Sequence, residues 1–194
     1  MERRRIEPWR LLSSIYSFSD RWLKLRSDTV RLPGGSTLTP YHVIEAADWV
    51  NVVAISEAGC IVLVEQYRHA VQHRLVQLPA GLCDVEGEEP EAVARRELVE
   101  EAGIEAGEWT HLASTYPSPG ITAEISHYYL ARDVREVGRG DFEPEHEEAD
   151  MTVSWVPVDD LAEAVLAGRL ADSHLALAVL LARSRGLTDA RVAE

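Results

Sequence analysis

Among the eight carboxylates and two guanidinium groups of the stretch Pro79–Ile104, the candidates for chemistry are Glu88, Glu97, Glu100 and Glu101, with Arg96 beside them. Pro90 suits a first helical position, where the missing N–H costs nothing, and Gly103 suits a left-handed C-terminal cap. The spacing between them predicts a helix of roughly three and a half turns. At about 100° per residue, Glu97, Glu100 and Glu101 share an arc of roughly 100°, while Ala92, Ala94, Leu98, Val99 and Ala102 occupy another side. One side is expected to bury, and the neighbouring one is a carboxylate cluster. Like charges at these spacings repel, and a helix gains nothing by collecting them unless a cation or a basic partner neutralises them. Oxygen ligands alone suit Mg²⁺ or Mn²⁺, whereas zinc calls for His or Cys beside them. A solvated acidic face is the ordinary alternative for a Glu-rich helix.

The flanking pattern favours the metal. The stretch resembles the Nudix box: Gly, five residues, Glu, seven residues, Arg-Glu, an aliphatic, any residue, Glu-Glu, any residue, Gly, an aliphatic. Here Glu88 is followed after seven residues by Arg96-Glu97-Leu98-Val99-Glu100-Glu101-Ala102-Gly103-Ile104, a match at every fixed position. One departure is that six residues, not five, separate Gly81 from Glu88, an insertion in a loop that leaves the helix register intact. The resemblance covers roughly Val50–Leu181 and implies an α/β fold, the Nudix α/β/α sandwich with a mixed sheet. It also implies roles. Glu97 and Glu101 would hold Mg²⁺, with Mn²⁺ as a substitute, Glu100 would be a further ligand, and the Ala80 carbonyl another. Arg96 would brace the carboxylates by charge-assisted hydrogen bonds.

Composition sets outer limits. A chain of 194 residues with 46% hydrophobic content can bury a sizeable core and fits one catalytic domain with an accessory segment. Its net charge of −14 argues against nucleic acid and anionic membranes as partners, because only the short Arg3–Arg5 run is basic. An anionic substrate therefore needs a metal bridge. Two cysteines are too few for a disulfide framework; Cys60 reads as core and Cys83 as a loop thiol, so a reducing cytoplasm is the expected compartment. MERRR continues into IEPWRLLSS without the apolar run of a signal peptide, and no stretch approaches the ~20 apolar residues of a membrane span, so a soluble protein is expected.

Met1–Asp20 shows no clear period and reads as a loosely ordered arm. Arg21–Leu32 and Leu38–Glu45 flank Pro33-Gly34-Gly35 and predict a hairpin ahead of the main domain, giving an N-terminal segment 1–45 and a hydrolase domain 46–194. In larger Nudix pyrophosphatases such a segment crosses to a partner subunit, so the resemblance implies a homodimer; an ordinary intrachain hairpin is the alternative. Trp49–Ile55 and Cys60–Tyr67 predict a second hairpin around Ser56-Glu57-Ala58-Gly59. Trp109–Ser114, Ile125–Ala131 and Thr152–Val156 predict further strands, Val158–Ala167 a helix, and Asp172 or Ser173 the cap of another running to about Arg185.

Arg68 follows a buried-looking strand in EQYRHAV, where an arginine can simply stay solvated. Nudix enzymes that cleave nucleoside diphosphate sugars carry a similar QYR segment near the substrate phosphates, which makes Arg68 the candidate diphosphate clamp. Gln77 stands where many relatives have Glu. Pro119 lies fifteen residues beyond Ile104 in SPGITAE, which resembles the substrate loop of the ADP-ribose pyrophosphatase subfamily. Pro119, Gly120 and Glu124 are thus candidate substrate residues, Glu124 accepting from sugar hydroxyls or assisting the metal, although a plain Pro/Gly turn would read alike. Trp22 is a candidate to stack the base if the N-terminal hairpin crosses to a partner.

Hydrolysis of a phosphoanhydride needs a general base while the helix carboxylates hold metal. The acidic loop Asp141–Asp150 offers one in His146-Glu147-Glu148-Ala149-Asp150-Met151, similar to the base-bearing segment of ADP-ribose pyrophosphatases. Glu148 ranks first, Glu147 and Glu145 next, His146 last. The expected reaction is metal-assisted hydrolysis of a nucleoside diphosphate sugar, ADP-ribose to AMP and ribose 5-phosphate. Rivals are a GDP-mannose or other nucleotide-sugar pyrophosphatase, a housecleaning enzyme without one substrate, and a module that senses ADP-ribose without cleaving it. Such modules typically lose box glutamates, and this chain keeps them.

Overall fold

A computed structural model of the protein describes residues 7–140, 142 and 149–187, and the chain forms two compact units. One comprises the segment up to Asp48 together with Thr115–Ile125; the other holds Trp49–Ser114 and everything from Ser126 onward.

The first unit is a three-stranded antiparallel sheet of β1 (Arg10–Ser19), β2 (Leu23–Arg31) and β3 (Thr37–Ala46), in that order. Pro33-Gly34-Gly35 makes the expected turn between β2 and β3, with Gly35 at φ 85° and the Leu32 N–H donating to Ser36 O at 2.9 Å. The hairpin, however, has a third strand. Arg10–Ser19, in which the sequence shows no period, is extended and pairs with β2 along its length, Arg10 opposite Arg31 and Ser19 opposite Lys24. Every residue of β1 is exposed, so no buried face imposed an apolar alternation. The sheet's one buried carboxylate among the described residues, Asp28, accepts from Ser14 Oγ at 2.6 Å and Arg26 Nε at 3.1 Å. Thr115–Ile125 returns to this unit: Ile44 N–H donates to Ile121 O at 2.8 Å, Tyr41 Oη to Gly120 O at 3.3 Å, and Ile125 N–H to Asp48 Oδ1 at 2.8 Å.

The second unit holds β4 (Trp49–Ala54), β5 (Cys60–Arg68), β6 (His73–Gln77), β7 (Ala80–Leu82), α1 (Pro90–Ala102), β8 (Ile104–Thr115), β9 (Ser126–Glu136), β10 (Thr152–Pro157), α2 (Val158–Leu166) and α3 (Ser173–Ser184). A mixed sheet runs β7-β4-β9-β8, with β4 antiparallel to β7 and parallel to β9; a second, antiparallel sheet runs β10-β5-β6. Thus β4 and β5 do not form the expected hairpin. They share only an isolated bridge, Ile55 to Ile61, and part into different sheets. Both are continuous apolar runs, and such runs carry no signal of which neighbour they pair with.

Strand alternation builds two cores. Val50, Val52, Ala54, Val62, Tyr129 and Ala131 pack with Val93, Ala94 and Leu98 of α1, while Val53, Ile61, Leu63, Tyr128 and Leu130 pack with α2 and α3. The α/β/α layering follows from that period of two. Asp172 caps α3 by accepting from the Leu175 N–H at 2.7 Å. Cys60, expected in the core, is half-buried because it sits at the very start of β5, and Cys83 is half-buried against the cluster under α1. No helix among the described residues is long and apolar enough to cross a membrane.

Candidate active site

Helix α1 begins with Pro90 in its first turn and ends at Gly103, in the left-handed region (φ 69°), whose N–H reaches back to Leu98 and Val99 carbonyls. Its buried side differs from the expected one. Ala92 is exposed and Val99 half-buried, whereas the buried arc is Val93, Ala94, Glu97, Leu98 and Glu101. Two of the glutamates are therefore interior groups, Glu97 9% and Glu101 3% exposed. Burying a carboxylate is costly without partners. Partners are present: Glu101 Oε2 accepts from the Ala80 N–H of β7 at 2.8 Å, and Glu97 Oε1 accepts from Arg96 Nη1 at 2.7 Å.

Gly81 explains the close approach of helix to strand. A Cβ at that position would overlap the Glu97 carboxylate, so this glycine gives Glu97 its place over β7. The contact stands alongside the six-residue spacing before Glu88, and β7 pairs with β4 with Gly81 opposite Val50.

Arg96 gathers the rest. Its Nη1 also donates to Glu100 Oε2 at 2.8 Å, and its Nη2 lies 3.6 Å from Glu88 Oε2. Burial pulls the guanidinium's pKa down, but Glu97, Glu100 and Glu88 more than reverse this and hold it above the usual arginine range. One cation thus faces three carboxylates, and Glu88 Oε2 is buried without a hydrogen bond. Surplus negative charge, oxygen-only donors and an orphaned buried oxygen fit a hard divalent cation. Among the described residues no three His, Cys, Asp or Glu side chains stand in a ready-made metal cage, because these oxygens are turned to Arg96 and the Ala80 N–H.

The remaining candidates fall in two groups. Arg68 ends β5, half-buried, with its Nε donating to Gln77 Oε1 at 2.6 Å. Pro119, Gly120 and Glu124 lie instead in the first unit, as does Trp22, a 53% exposed residue with the Arg21 guanidinium 3.9 Å over its ring. Burial, reinforced by the charge of Asp48, raises the Glu124 carboxyl above the usual range. Glu148, Glu147, Glu145 and His146 lie outside the described residues. Of the described residues on either side of them, Arg139 Nη2 donates to the Glu101 carbonyl at 2.6 Å, and Arg74 binds both the carboxylate and the carbonyl of Asp150. Arg139 carries no motif signal; the general preference for a basic group near helix C-terminal carbonyls is the one cue that points to it.

The NUDIX domain family matches residues 47–177, and the nucleoside diphosphate sugar hydrolase N-terminal domain matches residues 9–44. The chain is 46% identical over 158 residues to an ADP-ribose pyrophosphatase of Mycobacterium tuberculosis, covering 81% of this chain and 74% of that protein. It is 32% identical over 158 residues to a GDP-mannose pyrophosphatase of Klebsiella pneumoniae, covering 76% and 72%. A crystal structure of an ADP compounds hydrolase superposes with a TM-score of 0.78 at 21% identity, covering 95% of this chain and 98% of that one, a likeness of fold. With the box glutamates seated on β7 and both family matches spanning the chain's two segments, this protein belongs to the Nudix hydrolases and is a pyrophosphohydrolase.

Proposed function

We propose that the protein hydrolyses the diphosphate linkage of a nucleoside diphosphate sugar, converting ADP-ribose to AMP and ribose 5-phosphate with Mg²⁺ as cofactor and Mn²⁺ as a substitute. The observation that carries this reading is the buried Glu97–Glu101 pair packed over Gly81 and Ala80, an arrangement whose cost is justified by a cation. Glu97, Glu101, Glu100 and the Ala80 carbonyl would hold it. A divalent cation there supplies Lewis acidity, offsetting phosphate charge and making water more acidic.

The chain's own residues do the rest. Arg96 restrains Glu97 and Glu100, keeping carboxylates of like charge together in advance of binding. Arg68 offers a guanidinium fork to two phosphate oxygens. Glu148 takes the proton of the attacking water. Glu124, Pro119 and Gly120 meet the sugar, and Trp22 is the aromatic that stacks the base where the N-terminal hairpin crosses to a partner subunit.

Residues 1–45 form a separate segment ahead of the hydrolase domain 46–194, and the active form is a homodimer in the cytoplasm. Support for the dimer comes from the N-terminal sheet and its β1–β2 turn, where Leu11, Ile15, Tyr16, Phe18 and Trp22 are more than half exposed. The GDP-mannose reading is kept alive by the Klebsiella relative. A product assay with Mg²⁺ over ADP-ribose, GDP-mannose, ADP-glucose, NADH and diadenosine polyphosphates tests the proposal. AMP release fastest from ADP-ribose is expected; preferential release of GMP from GDP-mannose overturns the substrate, and tight ADP-ribose binding without turnover overturns the enzyme.

A further inference from the structure

Arg68 stands half-buried at the end of β5, and its guanidinium is tied back along the sheet. The register opposes Arg68 to His73 and Gln77 to Val64, so the arginine side chain runs back along the sheet to reach Gln77. There its Nε donates to Gln77 Oε1 at 2.6 Å, and Gln77 Nε2 donates to Asp172 Oδ2 at 2.8 Å. Asp172, 9% exposed, uses its other oxygen to cap α3 through the Leu175 N–H at 2.7 Å. A relay of three side chains therefore links β5, β6 and the first turn of α3.

The chemistry of the relay allows one arrangement. A guanidinium only donates and an ionised carboxylate only accepts, so the amide between them must turn its oxygen to Arg68 and its nitrogen to Asp172. Flipping it would set donor against donor and acceptor against acceptor. A glutamate at this position would satisfy Arg68 but confront the Asp172 carboxylate. Glutamine is the side chain of that length that bridges a cation to an anion.

We infer that Gln77 and Asp172 are positioning residues for Arg68, fixing the plane of its guanidinium on the buried cap of α3 so that the fork is set before a diphosphate arrives. This rests on the reading of Arg68 as the diphosphate clamp. Bidentate recognition of phosphate depends on the orientation of the fork as much as on its charge, and an arginine already oriented loses less freedom on binding.

The test is a double-mutant cycle on the full chain with ADP-ribose and Mg²⁺, using R68A, Q77L and the double variant, with Q77M, which keeps length and loses the amide, guarding against a folding defect in Q77L. R68A and Q77L should each raise KM about tenfold with kcat changed less than about twofold, and the double variant should be no worse than R68A. A merely structural Gln77 would lower the melting temperature and active fraction without this split. Normal KM in Q77L and Q77M beside a raised KM in R68A overturns the inference alone, as do penalties that add in the double variant. An unchanged KM in R68A removes the clamp and the inference with it. A parent protein inert toward every nucleotide sugar instead defeats the proposed function.

Discussion

The face of α1 that carries Glu97 and Glu101 and the N-terminal sheet of β1, β2 and β3 depart from ordinary burial in opposite directions. One buries carboxylates, 9% and 3% exposed; the other leaves Ile15 70% and Phe18 51% exposed. The buried charges have partners within the chain, Arg96 and the Ala80 N–H, which offset part of the cost of burial that the proposed cation would complete. The exposed apolar side chains stand on both faces of the sheet, Ile15 and Phe18 opposite Ser27 and Leu25, Tyr16 opposite Arg26, and on them rests the proposed association. Buried polarity carries the proposed chemistry, and exposed apolarity the proposed dimer.

The sharpest way to break that contrast is E101Q, which keeps an acceptor for the Ala80 N–H but removes the charge. Turnover should fall by roughly two to three orders of magnitude, with the thermal transition close to the parent's. A variant nearly as active as the parent would show that the buried carboxylate serves packing alone. Next in size is a paired truncation. Leu98, fully buried in the core under α1, should cost about 2–5 kcal/mol as L98A in urea unfolding, whereas I15A should fall within about 0.5 kcal/mol for the isolated chain. Equal losses would erase the distinction between the regions.

I15D should weaken self-association by about thirtyfold or more, read by sedimentation velocity over a concentration series. A parent already monomeric at high concentration would sink the homodimer. G81A should displace Glu97 rather than unfold β7, because the obstacle is a side-chain carboxylate and not backbone. Activity is expected to drop about tenfold for a stability loss of about 1 kcal/mol, and the reverse pattern would show that Gly81 serves the strand instead.

The smallest effect concerns Glu124, whose carboxyl is raised by burial and then by Asp48. A carboxyl raised in the folded state is favoured protonated there, so its ionisation costs stability as pH climbs from the unfolded value through the folded one. Below the unfolded value it is protonated in both states and the cost vanishes. E124Q should therefore melt slightly higher than the parent near pH 7, with the gain gone near pH 4. A gain that persists unchanged in acid would assign it to something other than this charge.

Local grammar makes much of the molecule legible. Pro90 and Gly103 bracket α1, Pro33-Gly34-Gly35 turns β2 into β3, and Asp172 caps α3, because caps and turns are settled by residues adjacent in the chain. The box spacing likewise puts Glu97, Glu101 and Arg96 on one short helix, since a helix is set by its own residues and its two ends. What stays illegible along the chain depends on contacts between distant segments. β1 carries no period because none of its residues is buried, and β4 and β5 part company because an apolar strand does not encode its neighbour. Only tertiary structure seats Glu97 over Gly81, joins Thr115–Ile125 to the N-terminal sheet, and ties Arg68 through Gln77 to Asp172, 95 residues beyond Gln77. Which atoms meet across such separations is decided by packing as a whole, whereas the residue types able to do chemistry once they meet are written along the chain.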